Sequence, residues 1–271
     1  MILIDGKKYR DELLEEYKKK VEDLSISLAI IQVGNNEANN LYITNKIKYS
    51  SQVGINVEYF NLDTEDEKEV EELINQLNEN DNITGIILQS PTPNMNYDRL
   101  AEMIDSKKDV DGFTKENIYK LYMKEEAIIP CTVKGIIKLL DHYNIPISGS
   151  NICIIGRGNI VGKPLALALT NRDATVTLCH SKTKKLKDIT KKADIIISAV
   201  GKPNMITEDM VKKDFVGIDV GINKVNGKTV GDFDFENIKD KASYITPVPG
   251  GVGPMTIAMI IDNLIEMAEK N

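Results

Sequence analysis

Residues 151–163 read NICIIGRGNIVGK, an apolar run that leads into a glycine-rich turn. The apolar residues predict a buried strand, and the residues after Gly162 predict a helix. Glycines at such a turn let the backbone approach a pyrophosphate closely, and the start of the helix stabilises its charge. The spacing G-x-G-x-x-x-G is one residue longer than the usual dinucleotide fingerprint, so the strand–loop–helix context supports the prediction more than the spacing does. We predict a dinucleotide site here; the alternative is a tight turn that binds nothing.

The residues that end the next strand bear on the kind of dinucleotide. They are Cys179-His180-Ser181-Lys182, with no acidic residue, whereas an NAD site usually has Asp or Glu about 20 residues past the loop. Arg157 lies within the loop itself. Because a hydroxyl group and cations suit the additional phosphate of NADP, we predict NADP as the cofactor. The alternative is that Arg157 and Lys182 are only surface charges.

Strand-like and helical patterns alternate along the whole chain. Three apolar or alternating runs lie in the first half, at residues 28–34, 56–62 and 83–91. Five strand-like runs lie in the second half, at residues 151–156, 174–180, 193–201, 215–223 and 242–248. This alternation predicts an α/β protein with parallel sheets and crossover helices. A glycine–proline loop precedes a long final helix, and Pro254 indicates the first residue of that helix.

Composition limits the class of protein. The 271 residues suit one large domain or two ordinary ones, and the formal net charge of −7 argues against non-specific nucleic-acid binding. The opening MILIDGKKYR shows no secretory signal, and no apolar run is long enough to span a membrane. Three widely spaced cysteines and two separate histidines favour a reducing cytoplasm and no metal site. We therefore expect a cytoplasmic protein without membrane or nucleic-acid partners.

Eight segments together resemble one enzyme family. In chain order they read LYITNKIK, GIILQSPTP, KDVDGF, IIPCTVKG, GRGNIVGKP, VTLCHSKT, GIDVGIN and ITPVPGGVGPMTIAM. Their order and spacing are similar to those of the bifunctional methylenetetrahydrofolate dehydrogenase/methenyltetrahydrofolate cyclohydrolase family, over nearly the whole chain. Three positions depart from the common pattern of that family: Asn39 replaces serine, Val133 replaces proline and Gly158 replaces serine.

The resemblance implies an α/β fold with two domains around a cleft. An N-terminal folate-binding domain would comprise residues 1–130, joined by a C-terminal helix at about residues 254–271 that packs back on it. A Rossmann-like NADP-binding domain would comprise residues 131–253. The partners implied are tetrahydrofolate derivatives and a second copy of the chain in a homodimer.

The resemblance also implies the residues of the site. Those expected to bind the cofactor are Gly156, Arg157, Gly158, Ile160, Val161, Gly162, His180, Ser181 and Ile222. Those expected to bind the substrate are Tyr42, Lys46, Gln89, Asp111, Pro249, Gly250 and Gly251. The catalytic residues expected among them are Lys46, Gln89, Tyr42 and Asp111.

The chemistry of the family suggests a role for each catalytic residue. Hydride transfer from the methylene carbon to a nicotinamide needs positioning and no proton transfer by a side chain. Adding water to the methenyl carbon does need proton transfer, and Lys46 matches the family's catalytic lysine. A lysine is a base only when neutral, a form that burial and a nearby cationic methenyl group both favour. Tyr42, one helical turn away, would stack on the folate ring; Gln89 would orient Lys46 and the water; Asp111 would bind the pterin amino groups.

Three other functions stay open on the sequence. One is a dehydrogenase linked to NAD or NADP that lacks cyclohydrolase activity, which the set of Tyr42, Lys46 and Gln89 disfavours. Another is a two-domain oxidoreductase resembling shikimate dehydrogenase, which the terminal PGGVGPMT disfavours. The last is a nucleotide-binding module without catalysis, which leaves the tyrosine, the lysine and the glutamine unexplained.

Overall fold

The computed structural model describes residues 1–35 and 37–270, with the backbone alone for residues 37–39 and 41. The side chain of Asn39 therefore lies outside the described residues. The chain divides into two compact units, which we call the large-sheet unit and the small-sheet unit. The large-sheet unit contains Met1–Arg10 and Thr132–Thr256, and the small-sheet unit contains Asp11–Cys131 and the chain from Ile257 onward. Over the described part of the chain, no helix has both the length and the apolar character needed to cross a membrane.

Strands and helices alternate along the chain, which confirms the predicted α/β class. The strands are β1 (Ile2–Leu3), β2 (Ser27–Val33), β3 (Asn56–Leu62), β4 (Gly85–Leu88), β5 (Asn151–Ile155), β6 (Thr175–Cys179), β7 (Ile195–Ser198), β8 (Phe215–Asp219), β9 (Asn223–Val225), β10 (Lys228–Val230) and β11 (Ala242–Ile245). The helices are α1 (Gly6–Val21), α2 (Glu37–Gln52), α3 (Glu67–Glu79), α4 (Tyr97–Glu102), α5 (Lys115–Met123), α6 (Cys131–His142), α7 (Gly162–Thr170), α8 (Leu186–Thr190), α9 (Phe235–Ile238) and α10 (Val252–Ala268).

The large sheet has six strands in the order β1-β11-β8-β7-β5-β6, and every pair in it is parallel. The strand β5 has β6 on one side and β7 on the other, so the winding of the chain reverses beside β5. In open parallel sheets, ligands bind outside the carboxyl ends of the strands at such a reversal. The glycine loop directly follows β5 and therefore lies at this point.

The N-terminus differs from the sequence-based division into domains. Residues 1–130 are expected in the first domain, but Met1–Arg10 belong to the large-sheet unit. The reason is that β1 pairs with β11, with Ile2 opposite Tyr244, and the Ile4 N–H donates to the Ile245 carbonyl at 2.8 Å. A strand of two residues has no readable periodicity, and its partner lies far away in sequence.

The small sheet has three parallel strands in the order β3-β2-β4. All seven residues of the central strand β2 are buried, which explains its nearly unbroken apolar run. Helix α3 covers the sheet with Val70, Ile74 and Leu77. Asp66 begins that helix by accepting the Lys68 N–H at 3.0 Å, as expected of an N-cap residue.

The final helix belongs mostly to the small-sheet unit, as the resemblance implies. A Cβ atom at Gly85 of β4 would lie only 2.6 Å from Leu264 Cδ2, so the helix packs closely on this strand. The buried Asn263 amide donates to the carbonyls of Val110 at 2.9 Å and Ile129 at 3.0 Å. The helix begins at Val252, two residues before Pro254. Proline is tolerated there because the first turn of a helix needs no internal N–H partner.

A short antiparallel hairpin of β9 and β10 is absent from the sequence prediction. Its turn is Asn226-Gly227, and both residues have positive φ, at 50° and 77°. An Asn-Gly pair between two strands is the strongest short-range signal for a hairpin. The signal was therefore present in KVNGKTV, but each strand has only three residues.

Replacing Asn263 with alanine tests the anchoring of α10. The variant leaves the buried carbonyl of Val110 and the partly buried carbonyl of Ile129 without this donor, so the free energy of unfolding should fall by about 2–4 kcal/mol. Urea unfolding followed by circular dichroism measures the change. Asn237→Ala, at an exposed asparagine bonded to Asp234, is the matched control and should change stability by less than about 0.5 kcal/mol. Equal stability of the two variants would show that the Asn263 amide does not anchor the helix.

Candidate functional site

Three of the predicted catalytic residues lie in contact in the small-sheet unit. Lys46 is only 4% exposed, and its Nζ donates to Gln89 Oε1 at 3.1 Å. The same Nζ lies 5.2 Å from the centroid of the Tyr42 ring. Tyr42 and Lys46 come from α2, one turn apart, and Gln89 follows the carboxyl end of β4. The Lys46 amine is therefore shielded from bulk water and oriented by its hydrogen bond to the amide oxygen of Gln89.

Gln89 is itself fixed by the backbone. Its N–H donates to the Ile31 carbonyl at 2.8 Å, which extends the pairing of β2 and β4 by one residue. Its Nε2 donates to the Ser90 carbonyl at 3.1 Å. Because the amide nitrogen is used in this way, the amide oxygen is the atom that faces Lys46.

Asp111 reaches the same edge of the small sheet by a different route. Residues 108–110 run parallel to β4: Ile86 pairs with Asp109, and the Ile86 N–H donates to the Lys108 carbonyl at 2.7 Å. In this parallel register, Asp111 and Gln89 both follow the ends of adjacent extended segments. Among the described residues, no hydrogen-bond partner is found for the Asp111 carboxylate, so it is available to a ligand.

Asp109 stabilises the turn that precedes α5. Its carboxylate is 4% exposed and accepts the N–H groups of Gly112 at 2.9 Å and Thr114 at 2.7 Å, together with the Asn117 amide at 3.2 Å. Burial raises the pKa of Asp109, although these donors oppose the rise. Asp109 therefore shapes the turn that carries Asp111.

The glycine loop of the large-sheet unit leaves no room for side chains at two positions. A Cβ atom at Gly156 would lie 2.4 Å from the Ala199 carbonyl oxygen, and one at Gly162 would lie 1.9 Å from the Gly156 oxygen. Gly156 also has a φ of +115°, which favours glycine. Gly158, by contrast, has open space around it, so a side chain there would fit and packing does not require glycine.

The other predicted cofactor residues lie at the same edge of the large sheet. Arg157, Gly158 and Ile160 are exposed in the loop after β5, and Val161 precedes α7. His180 and Ser181 follow β6, where the His180 N–H donates to Thr183 Oγ1 at 2.9 Å. Ile222 follows β8 and is 63% exposed, although it is a large apolar residue. Exposed apolar side chains beside a glycine loop are suited to contact with flat rings.

Two buried carboxylates at this edge were missed by the sequence reasoning. Asp219 ends β8 and accepts the N–H groups of Gly221, Asp232 and Phe233 at 2.8–3.1 Å. Asp232 follows β10 and is fully buried. Burial raises the pKa of Asp219 to about 6, and the neighbouring Asp232 carboxylate adds to the rise, while the backbone donors oppose it. The only sequence signal was the segment GDFDF, which contains acidic residues in an apolar stretch.

The loop that carries Pro249, Gly250 and Gly251 follows β11 at the same edge. The start of α1 packs directly against it: the Lys7 N–H donates to the Gly250 carbonyl at 2.9 Å. A Cβ atom at Gly6 would lie 1.9 Å from the Gly251 oxygen. The N-terminal residues therefore help to form the predicted substrate loop.

Two sequence profiles of one family match the chain. The catalytic domain of tetrahydrofolate dehydrogenase/cyclohydrolase matches residues 4–111, and the NAD(P)-binding domain of the same enzyme matches residues 130–271. The chain belongs to this family.

Several members of the tetrahydrofolate dehydrogenase/cyclohydrolase family match this chain over nearly its full length. The bifunctional protein FolD of Nitratiruptor sp. is 48% identical, covering 100% of this chain and 99% of the relative. The crystal structure of the bifunctional FolD enzyme from Campylobacter jejuni has a TM-score of 0.97 at 44% identity and covers 100% and 99% of the two chains. The Trypanosoma brucei FolD enzyme, complexed with NADP cofactor and inhibitor, has a TM-score of 0.94 at 30% identity and covers 100% and 98%.

The NAD(P)-binding domain of this family member has a loop that fits a dinucleotide. The close approach of Gly156 and Gly162 to neighbouring backbone leaves the surface of the loop free of side chains at these positions. The helix α7 begins at Gly162, whose N–H can be offered to an anion, whereas Lys163 and Leu165 donate theirs to the carbonyls of Gly158 and Val161. Arg157 and Lys182 are exposed cations beside it, suited to phosphate groups.

A methyl group at Gly6 tests the role of the N-terminus in this enzyme. Gly6→Ala places a Cβ against the Gly251 oxygen, so the loop of residues 249–251 must move. We expect dehydrogenase kcat/KM to fall by about tenfold or more, because displacement of a positioning loop has effects of this size. Steady-state kinetics measure it. Ser148→Ala, at an exposed residue of a turn, is the control; a Gly6→Ala enzyme as active as this control would contradict the expectation.

The raised pKa of Asp219 predicts a particular dependence of stability on pH. The folded pKa of about 6 exceeds the ordinary value of 3.8, so the folded protein keeps a proton that the unfolded chain loses. The stability that Asp219 contributes is therefore full below about pH 4 and is lost as the pH rises through 6. Relative to Asp219→Asn, which stays neutral, wild-type protein should lose up to about 3 kcal/mol between these limits in urea unfolding. A difference that is independent of pH would refute the raised pKa.

Proposed function

We propose that this chain oxidises methylenetetrahydrofolate to methenyltetrahydrofolate with NADP and hydrolyses that product to formyltetrahydrofolate. The observation that supports the hydrolysis is the contact of the buried Lys46 with Gln89 beside the Tyr42 ring. Hydride transfer alone needs no such amine, whereas hydrolysis needs a group that moves protons. The family match over both domains supports the same pair of reactions.

NADP would be held at the carboxyl edge of the large sheet. Arg157, Ser181 and Lys182 are exposed there and offer two cations and a hydroxyl to the additional phosphate. The exposed Ile160 and Ile222 offer apolar surface to the rings. The related Trypanosoma brucei enzyme has been solved with NADP, which supports the same cofactor here. When bound, NADP supplies the acceptor for the hydride of the substrate.

Lys46 would transfer protons during hydrolysis. In the neutral amine, one N–H donates to Gln89 Oε1 at 3.1 Å, and the lone pair stays available to accept a proton from the attacking water. Gln89 sets the direction of the amine, and the Tyr42 face offers a stacking surface to the folate ring.

Asp111 would bind the amino groups of the pterin. Its carboxylate stands at the edge of the small sheet where Gln89 follows β4, on a turn fixed by Asp109. An ionised carboxylate accepts hydrogen bonds in pairs from adjacent N–H groups, which suits an aminopyrimidine. We also propose that Pro249, Gly250 and Gly251, in the loop after β11, bind the substrate.

A dehydrogenase without cyclohydrolase activity is the second candidate. It requires that Lys46, although buried and bonded to Gln89, has no chemical role.

We also infer a homodimer in a reducing cytoplasm. The family resemblance supports the dimer, and the buried free thiols of Cys131, Cys153 and Cys179 are consistent with that compartment. Analytical ultracentrifugation at micromolar concentration measures the oligomeric state.

A two-wavelength assay tests the proposed activities. Purified protein is mixed with methylenetetrahydrofolate and either NADP or NAD, and reduced nicotinamide and methenyl absorbance are followed together. We expect reduction with NADP and loss of methenyl faster than in buffer without enzyme. Reduction with persistent methenyl would leave only the dehydrogenase, and no reduction with either cofactor would contradict both functions.

Replacing Lys46 with methionine separates the two activities. The variant keeps an unbranched apolar side chain but removes the amine, so hydrolysis of methenyltetrahydrofolate should fall by about a hundredfold or more, while part of the dehydrogenase activity persists. Lys48→Met on the same helix is the matched control, because Lys48 is exposed and its Nζ also lies 5.2 Å from a tyrosine ring, that of Tyr49. Equal retention of both activities in the Lys46 variant would refute its role as the base.

A further inference from the structure

The carboxylate of Asp232 collects five hydrogen bonds although it has no exposed surface. Its Oδ2 accepts the Ser198 hydroxyl at 2.9 Å and the N–H groups of Val200 at 2.9 Å and Gly201 at 3.3 Å. Its Oδ1 accepts the Lys202 N–H at 2.8 Å and the Asn223 amide at 3.2 Å. A buried carboxylate with this many donors is a strong local organiser, because hydrogen bonds to one fixed group hold several segments in place together.

Three of these bonds hold the segment that follows β7. The N–H groups of residues 200–202 all point at one side chain, so the chain wraps around the carboxylate in place of forming a regular element. This segment lies where the winding of the large sheet reverses, beside β5. The Ala199 carbonyl just before it is the group that approaches Gly156 most closely, at 2.4 Å from a Cβ built there. Asp232 therefore sets one wall of the glycine loop.

The same carboxylate contacts both sequence neighbours of Ile222. Asn223, the next residue, donates its side-chain Nδ2 to Oδ1 at 3.2 Å. Gly221, the preceding residue, packs so closely that a Cβ there would lie 2.0 Å from Oδ1. Ile222 itself is 63% exposed at the edge of the sheet. The position of this exposed side chain thus depends on Asp232 through both of its neighbours.

We propose that Asp232 is a positioning residue for the nicotinamide cofactor. It contacts no ligand, because it is fully buried, and acts through the segment at residues 200–202 and through Ile222. The affinity for the dinucleotide depends on the arrangement of these two segments around the glycine loop. This proposal rests on the proposed binding of a dinucleotide at this edge and adds a residue that the sequence did not indicate.

Asp232→Asn is the direct test, since asparagine has the same shape but one of its terminal groups is a donor. That amide would face N–H groups, so the segments must rearrange. Calorimetric titration of the whole protein with NADP and with NAD, without folate, measures the dissociation constant of the tighter dinucleotide. We expect it to rise by about tenfold or more, the effect of losing hydrogen bonds to a charged group. Hydrolysis of methenyltetrahydrofolate, assayed without dinucleotide, should stay within about twofold of wild type, since Lys46, Gln89 and Tyr42, the residues proposed to carry it out, lie in the small-sheet unit.

The matched control is Asp234→Asn, two residues away, whose carboxylate accepts only the Asn237 amide among the bonds found in the described residues. It should bind the dinucleotide as wild type does. A folded Asp232→Asn protein, with the thermal unfolding midpoint of a native enzyme and an unchanged dissociation constant, would overturn the role of Asp232.

A second pair of variants decides the matter if Asp232→Asn does not fold. Asn223→Ala removes one donor next to Ile222 and leaves the carboxylate in place, so the dissociation constant should rise by about threefold or more. Asn237→Ala is its control. An unchanged dissociation constant for a folded Asn223→Ala protein would overturn the proposal.

Wild-type protein that binds neither dinucleotide would instead overturn the cofactor assignment, and with it the role of Asp232.

Discussion

Parallel strand pairing is the constraint on which the rest of this structure depends. In a parallel sheet, all strands end at the same edge, so residues that follow different strands meet there although they are distant in sequence. In the large sheet this brings together the glycine loop, the turn after Cys179, the segment around Ile222 and the loop of residues 249–251. In the small sheet it brings Gln89 and Asp111 to one edge beside Lys46.

Buried polar side chains then give these edges their shape. Asp109, Asp219, Asp232 and Asn263 are each nearly inaccessible to water, and each is bonded to backbone groups of a loop. Irregular segments lack the repeated hydrogen bonds of helices and strands, so their N–H and carbonyl groups need side-chain partners. The loops of this enzyme therefore have defined conformations without belonging to a regular element.

The sequence predicted those parts of the fold that depend on local patterns. The strands β2, β5 and β7 could be predicted because burial on both faces of a parallel sheet requires continuous apolar residues. The helix after Gly162 could be predicted as well. The two-residue strand β1 could not, because the strand with which it pairs, β11, lies near the other end of the chain. For the same reason the N-terminal residues could not be assigned to the large-sheet unit in advance.

For the site, residue types and motifs determined the class of chemistry. The glycine spacing, the absence of an acid near His180 and the resemblance across eight segments indicate a dinucleotide-dependent folate enzyme, and the family profiles agree. Only the tertiary structure decided that Lys46 is buried against Gln89 and that Asp232, inconspicuous in GDFDF, organises the cofactor edge. A sequence records which groups are available, whereas burial and hydrogen bonding depend on which distant segments pack against them.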